Sequence, residues 1–181
     1  MAIVVVVLND RFERSRRNIE WARQSNQLEA DRLSGIYGDG ITALRNYMHA
    51  MSDFADFRYR SANGSTAAVV FDENELVRRV LETDRAMIHQ ESAIRLASPD
   101  ATAKYESVAK KLREIRRLID YDDAGNGNDR SSFWPESSRW EAKYEEYEDL
   151  LMEFTRCAKE GLDAVRSNSL PYSGWRKFLG R

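Results

Sequence analysis

The sequence predicts an all-α protein: an elongated up-down antiparallel bundle of four helices, the first of them the longest. Three observations lead there. Only 3 of 181 residues are proline and 9 are glycine, too few to punctuate the turns of an all-β chain. Apolar residues recur at alternating steps of three and four over long stretches, the period of a helix with one buried face. With 42% hydrophobic and 32% charged residues, the balance is that of helices packed on one side and solvated on the other. The length suits a single domain, assigned to residues 1–167, with a tail at 168–181.

The chain opens with an apolar run from Ala2 to Leu8, followed by Arg11, Arg14, Arg16 and Arg17. The run is well short of the roughly 20 residues a membrane helix needs. A signal peptide would place its positive charge before the apolar stretch, not after it. Three readings stand for residues 1–8. They are the stub of a truncated membrane anchor whose arginines lie on the cytoplasmic side, or they pack on a partner helix or subunit, or they form a β-strand. For the strand, the AAVVF stretch at 67–71 is the visible partner.

From Asn9 to Arg60 no proline interrupts a seam through Ile19, Ala22, Asn26, Leu33, Ile36, Gly40, Leu44, Tyr47, Met51 and Phe54, which predicts one helix. Gly35, Gly38 and Gly40 weaken its middle and mark the place for a kink. The GIYGDG stretch that holds them lacks both the GxGxxG order and a Walker lysine, so its small side chains read as room for a second helix. Turn formers in SANGSTAAVV, 61–70, end the first helix. Its first part, Asn9 to Glu29, has no helix of matching length and needs cover from another subunit, a membrane stalk or the tail. Self-association as a homodimer is the expectation.

Asp72 is placed to cap the second helix, with Glu75 completing a capping box and Phe71 and Leu76 a hydrophobic staple. Its seam reads Val77, Val80, Asp84, Met87, Glu91 and Ile94. Ser98-Pro99-Asp100 looks like a helix start, and the third seam follows through Ala101, Tyr105, Val108, Leu112, Ile115 and Ile119. Because the seam keeps its phase across Pro99, the alternative is three long helices with the middle one kinked there. An interior proline costs about 3 kcal/mol, which favours a tight turn and four helices. A polar loop at 120–138 leads to the last helix, with Trp140, Tyr144, Tyr147, Leu151, Phe154, Ala158, Gly161 and Val165 in line.

A net charge of −2 gives no global pull toward nucleic acid or anionic lipid. The third helix is nonetheless basic (Lys104, Lys110, Lys111, Arg113, Arg116, Arg117) and the fourth acidic (Glu141, Glu145, Glu146, Glu148, Asp149, Glu153), the pattern of neighbours that pair with each other. Nucleic acid is therefore not the expected partner. Cys157 stands alone, which rules out a disulfide within the chain and reads as a small buried hydrophobe. Neither His49 nor His89 has a glutamate three residues earlier, as a di-iron bundle would require. No catalytic residue, metal or cofactor is expected. Asp84 and Glu91 are the notable residues, since acids on an apolar seam are costly to bury alone. Either the helix turns far enough for them to reach water, or they pair with Arg45 or Arg58 to set register or line a small polar pocket. In the tail, Trp175, Arg176, Lys177 and Phe178 combine charge with aromatic rings. That combination suits a membrane interface, as would the arginines at the other terminus.

The functional expectation is a non-catalytic helical interaction or scaffold module at the cytoplasmic face of a bacterial membrane, with a soluble cytoplasmic location as the alternative. The bacterial reading rests on the excess of arginine over lysine. Two other classes remain: an extracytoplasmic four-helix ligand-sensing domain of a receptor, and a soluble helical regulator that binds nucleic acid.

Overall fold

The computed structural model describes residues 2–62, 72–122 and 137–167, and their side chains apart from those of 2–12, 62, 121 and 122. Among these residues there are four helices and no strand: α1 (Ala2–Ala62), α2 (Glu73–Ala97), α3 (Pro99–Asp122) and α4 (Ser138–Ser167). Residues 2–8 are the first turns of α1, which overturns the strand reading. A lone strand has no ladder partner there, whereas a helix extends at one hydrogen bond per residue added. The AAVVF stretch, the Phe71 half of the expected staple and the tail lie outside the described residues. Gly35, Gly38 and Gly40 do not interrupt α1.

The chain forms two compact units, one of Met1–Gly35 with Lys159–Arg181 and the other of Ile36–Ala158. In the first, only Ala30 and Leu33 are buried among the described side chains, with Ile19, Asn26, Gly161, Leu162 and Val165 half-buried. Ala22, expected on the seam, is exposed.

The second unit holds α2 and α3 with the second part of α1 and the first part of α4, and its ion pairs reveal their directions. On α3 and α4, Lys104 meets Glu153 at 2.6 Å. Seven residues further along α3, Lys111 meets Glu146, seven residues earlier on α4. The two helices therefore run antiparallel at heptad spacing. By the same logic Arg95 with Glu106, Glu91 with Arg113 and Asp84 with Arg116 set α2 antiparallel to α3. Arg79 with Asp53, and the approach of Ile94 to Gly40, set α2 antiparallel to α1. The up-down arrangement of four helices is thus present.

Ser98 separates α2 from α3. Its backbone is extended (φ −159°, ψ 122°), its N–H donates to the Ile94 carbonyl at 2.9 Å, and its Oγ accepts from the Ala101 N–H at 3.3 Å. One residue caps both helices, and Pro99 sits at the first helical position, where its missing N–H leaves nothing unpaired. The proline ends one helix and begins the next; it does not kink a single long one. At the start of α2, Asp72 accepts from the Asn74 N–H at 3.0 Å as the expected cap. Glu75 does not complete a capping box in this way: its carboxylate grips Arg78 at 2.6 Å. Ser137 caps α4 through the Trp140 N–H.

All six residues expected on the α3 seam are buried. On α2 the expected seam is met at Val80, Met87 and Ile94 and displaced at its other three positions. The buried residues are Leu76, Val80, Met87 and Ile94, with Thr83 half-buried between them, while Val77 is 38% exposed. The expected line through Val77, Asp84 and Glu91 lies one residue on, about 100° round the helix.

The centre of the core is aromatic. Phe154 of α4 packs edge-to-face with Tyr105 of α3 (centroids 5.4 Å apart) and with Tyr37 of α1 (6.3 Å). The Tyr105 hydroxyl crosses to α2 and donates to the Met87 carbonyl at 2.9 Å. Burial, and secondarily the negative charge of Glu91, push the Tyr105 phenol well above its usual range. Gly40 makes room for Ile94 beside this ring: a Cβ there would stand 2.7 Å from Ile94 Cδ1, and at an ordinary 3.4 Å from Tyr105 Cε2.

The packing sets the direction of three substitutions. Gly38→Ala, with nothing within 4 Å of the new methyl, stabilises the protein by up to about 1 kcal/mol through helix propensity. Gly40→Ala destabilises it by about 1 kcal/mol, because overpacking against fully buried Ile94 and Tyr105 outweighs the same gain. Urea unfolding followed by circular dichroism separates the two signs. Tyr105→Phe lowers stability by about 1 kcal/mol, the net worth of one buried hydrogen bond, with the fold retained.

Candidate functional site

The acids singled out in the sequence lie at the margin of the α2–α3 contact. Asp84 and Glu91 side chains are 24% and 20% exposed, neither sealed in the core nor free in solvent. Glu91 meets Arg95 on its own helix at 2.9 Å and Arg113 of α3 at 3.6 Å. Asp84 meets Arg116 of α3 at 3.9 Å, and Arg116 reaches Asp120 at 3.5 Å. Arg116 also approaches the buried Tyr47 hydroxyl without closing a hydrogen bond; burial raises that phenol and the nearby guanidinium partly offsets the rise.

The expected partners, Arg45 and Arg58, are elsewhere. Arg58 lies over the Phe54 ring, 4.4 Å from its centroid, and Arg45 stands beside Tyr144 and Tyr147 of α4. The reason is the displaced α2 seam. With Leu76, Val80 and Met87 in the core, the acids turn toward α3 and away from α1. What the arrangement does is hold a hairpin in register, since Arg95 adds a further clasp to Glu106 at 2.8 Å.

On the α3–α4 side, the expected match of bases to acids is found for Lys104 with Glu153 and Lys111 with Glu146. It also appears with the signs exchanged, Lys143 of α4 meeting Glu114 of α3 at 3.1 Å. Arg113 and Arg116 serve α2 instead, and Lys110 and Arg117 are exposed. Hydrogen bonds from Lys111 and Lys143 lower the pKa values of Glu114 and Glu146, and Lys104 does the same for Glu153. The two glutamates in turn raise Lys111.

Of the residues assigned to a membrane interface, Arg14, Arg16 and Arg17 are exposed on α1, with Arg17 3.3 Å from Glu13. Arg11 is helical, its side chain outside the described ones, as are Trp175, Arg176, Lys177 and Phe178. None of the described helices is long and apolar enough to cross a membrane. Among the described residues no three histidine, cysteine or carboxylate side chains gather as a metal site would need. Cys157 is half-buried, less enclosed than expected.

Sequence reasoning missed Trp21 and Leu28, which are 73% and 71% exposed. They are seven residues apart and so share one face of α1. That face lies about 200° round from the Ile19–Asn26–Leu33 line, since Trp21 follows Ile19 by two residues. The signal was present: a tryptophan amid polar neighbours, out of phase with the seam. No protein family, no curated protein and no solved structure matches the chain.

The ion-pair ladder predicts an acid limb of stability. Glu114, Glu146 and Glu153 titrate below their usual 4.5 when folded, so the unfolded chain takes up their protons first. Their contribution is intact above about pH 4.5 and is lost as the pH falls through the depressed values. Thermal unfolding between about pH 3 and pH 7 shows this loss, and Lys111→Met, like added salt, makes it shallower.

Proposed function

We propose that the protein is a non-catalytic helical interaction module that pairs with a second copy of itself through the first part of α1. The observation that carries this reading is the exposure of Trp21 and Leu28 on one face of that helix. Tryptophan presents a large rigid apolar area and is the residue most enriched among those that dominate binding energy. The charges around the two residues favour a partner of the same kind. Around Trp21 the arginines (Arg14, Arg16, Arg17, Arg23) outnumber the acids (Glu13, Glu20), while after Leu28 the acids (Glu29, Asp31) outnumber Arg32, so two antiparallel copies bring opposite net charges together. The short apolar run at the start of the chain, followed by arginines, supports a tether on the cytoplasmic side of a membrane as the setting of this module.

Sedimentation equilibrium of the 181-residue chain tests the pairing. The expected result is a dimer at about 50 µM, with the double variant Trp21→Ala, Leu28→Ala weakening it by about tenfold or more at unchanged helix content. A monomer throughout, or a dimer indifferent to the two substitutions, overturns the reading.

A further inference from the structure

The outer side of the α2–α3 hairpin carries an apolar stripe next to a row of cations. Val77, Leu81 and Ile88 of α2 are 38, 41 and 47% exposed. At the pitch of an α-helix they fall within about 40° of one another around its axis. Asp84 and Glu91, which meet Arg116 and Arg113 of α3, mark the edge of α2 turned toward that helix. The stripe lies just beyond that edge, on the side away from buried Val80, Met87 and Ile94. On α3, Lys110 and Arg117 hold the matching place. They are exposed, and they lie beyond Arg113 and Arg116 on the side away from that helix's buried seam. Because the two helices run antiparallel, Arg117 stands level with exposed Arg85 of α2, and Lys110 lies about two turns further along.

Two features single out this groove. Exposed apolar side chains scattered singly are ordinary, but here three share one line. Leu81 and Ile88 are seven residues apart, as are Lys110 and Arg117, so both walls of the groove repeat at the heptad spacing. The charges, moreover, are unbalanced. The acids between the two helices already have basic partners: Asp84 and Asp120 meet Arg116, Glu91 meets Arg113 and Arg95, and Glu106 meets Arg95. Arg85, Lys110 and Arg117 form no ion pair with another described side chain. The groove therefore offers an apolar line flanked by three unanswered positive charges.

We propose that this groove docks an acidic amphipathic helix of a partner protein, its apolar side against Val77, Leu81 and Ile88 and its carboxylates against Arg85, Lys110 and Arg117. A helix laid in a groove presents its apolar anchors at steps of three, four and seven residues, the spacing found along α2. Acids flanking those anchors meet the cations on both walls, which selects against basic helices and speeds encounter. From Val77 to Ile88 the stripe runs about 16 Å, three turns of such a partner. This docking extends the reading of the protein as an interaction module and does not depend on pairing through the first part of α1, since all six residues belong to the unit Ile36–Ala158.

The probe is a fluorescein-labelled helical peptide of about 18 residues, or five turns, with leucine at the heptad a and d positions and glutamate beside them. Its counterpart carries lysine in place of every glutamate. Fluorescence anisotropy with the full chain is expected to show the acidic peptide binding at about 10 µM in low salt and several times more weakly at about 0.5 M salt, with the basic peptide unbound. Leu81→Ser with Ile88→Ser, and separately Lys110→Glu with Arg117→Glu, each weaken binding by about tenfold or more at unchanged helix content, because all four positions are exposed. Lys159→Glu with Arg166→Glu, an equal change of charge elsewhere, leaves it as it was. Equal binding of the basic peptide, no binding of the acidic one by about 1 mM, or indifference to both groove variants overturns the proposal. A dimer lost only in the groove variants assigns the groove to a second copy, and retention on phosphatidylserine vesicles lost in the same variants assigns it to lipid; either overturns it too. Failure of the pairing through α1 is read separately, from the Trp21→Ala, Leu28→Ala variant.

Discussion

The structure depends on one contact set: the ring of Phe154 held edge-on between Tyr105 and Tyr37. Phe154 belongs to α4, Tyr105 to α3 and Tyr37 to α1, and the Tyr105 hydroxyl reaches the Met87 carbonyl on α2. Four helices thus converge on three side chains. Edge-to-face contacts are directional, unlike aliphatic packing, so the cluster sets orientation as well as burying area. It also sets a demand on the neighbouring backbone. Ile94, packed beside Tyr105, would stand 2.7 Å from a Cβ at residue 40, and that is where the chain has glycine. The requirement is one of volume, since Gly40 sits inside a helix where any residue could adopt the backbone angles.

Around that centre the charged residues decide how the helices line up. Isolated surface ion pairs contribute little to stability. Their placement here carries information of another kind, because pairs repeat at seven-residue intervals in opposite directions on α3 and α4, and a shift by one turn would put lysine against lysine. Glu91 and Asp84 do the same for the α2–α3 hairpin, which Ser98 has already brought within reach by capping both helices. Tight capping and complementary flanks thus act on the same pair of helices. One fixes the turn and the other the register.

Not every side chain is absorbed by this scheme. Trp21 and Leu28 are exposed on one face of α1, and the buried hydroxyls of Tyr47 and Tyr147 have no hydrogen-bond partner among the described residues. In the first case the groups are large, apolar and exposed; in the second they are polar and buried. Physical chemistry gives these different meanings. Apolar area in water favours any partner that covers it, whereas a buried hydroxyl without a partner costs the hydrogen bond it gave up to water.

Much of this was legible beforehand because helices are local objects. Period, caps and breakers are written in neighbouring residues, so the four helices, the cap at Asp72 and the break at Ser98-Pro99 followed from the sequence, and every residue of the α3 seam was identified correctly. The pairing of Lys104 and Lys111 with acids of α4 was also anticipated, from composition alone. What the sequence left undecided was rotation about each axis. Leu76 and Val77 are adjacent and both apolar, and which of them faces inward, as Leu76 does, depends on side chains of the other helices. That choice carried Asp84 and Glu91 to Arg116 and Arg113 instead of Arg58 and Arg45, and left Arg45 beside Tyr144 and Tyr147 of α4. Helix identity is a matter of nearest neighbours along the chain; helix facing is settled by side chains brought together from distant parts of it.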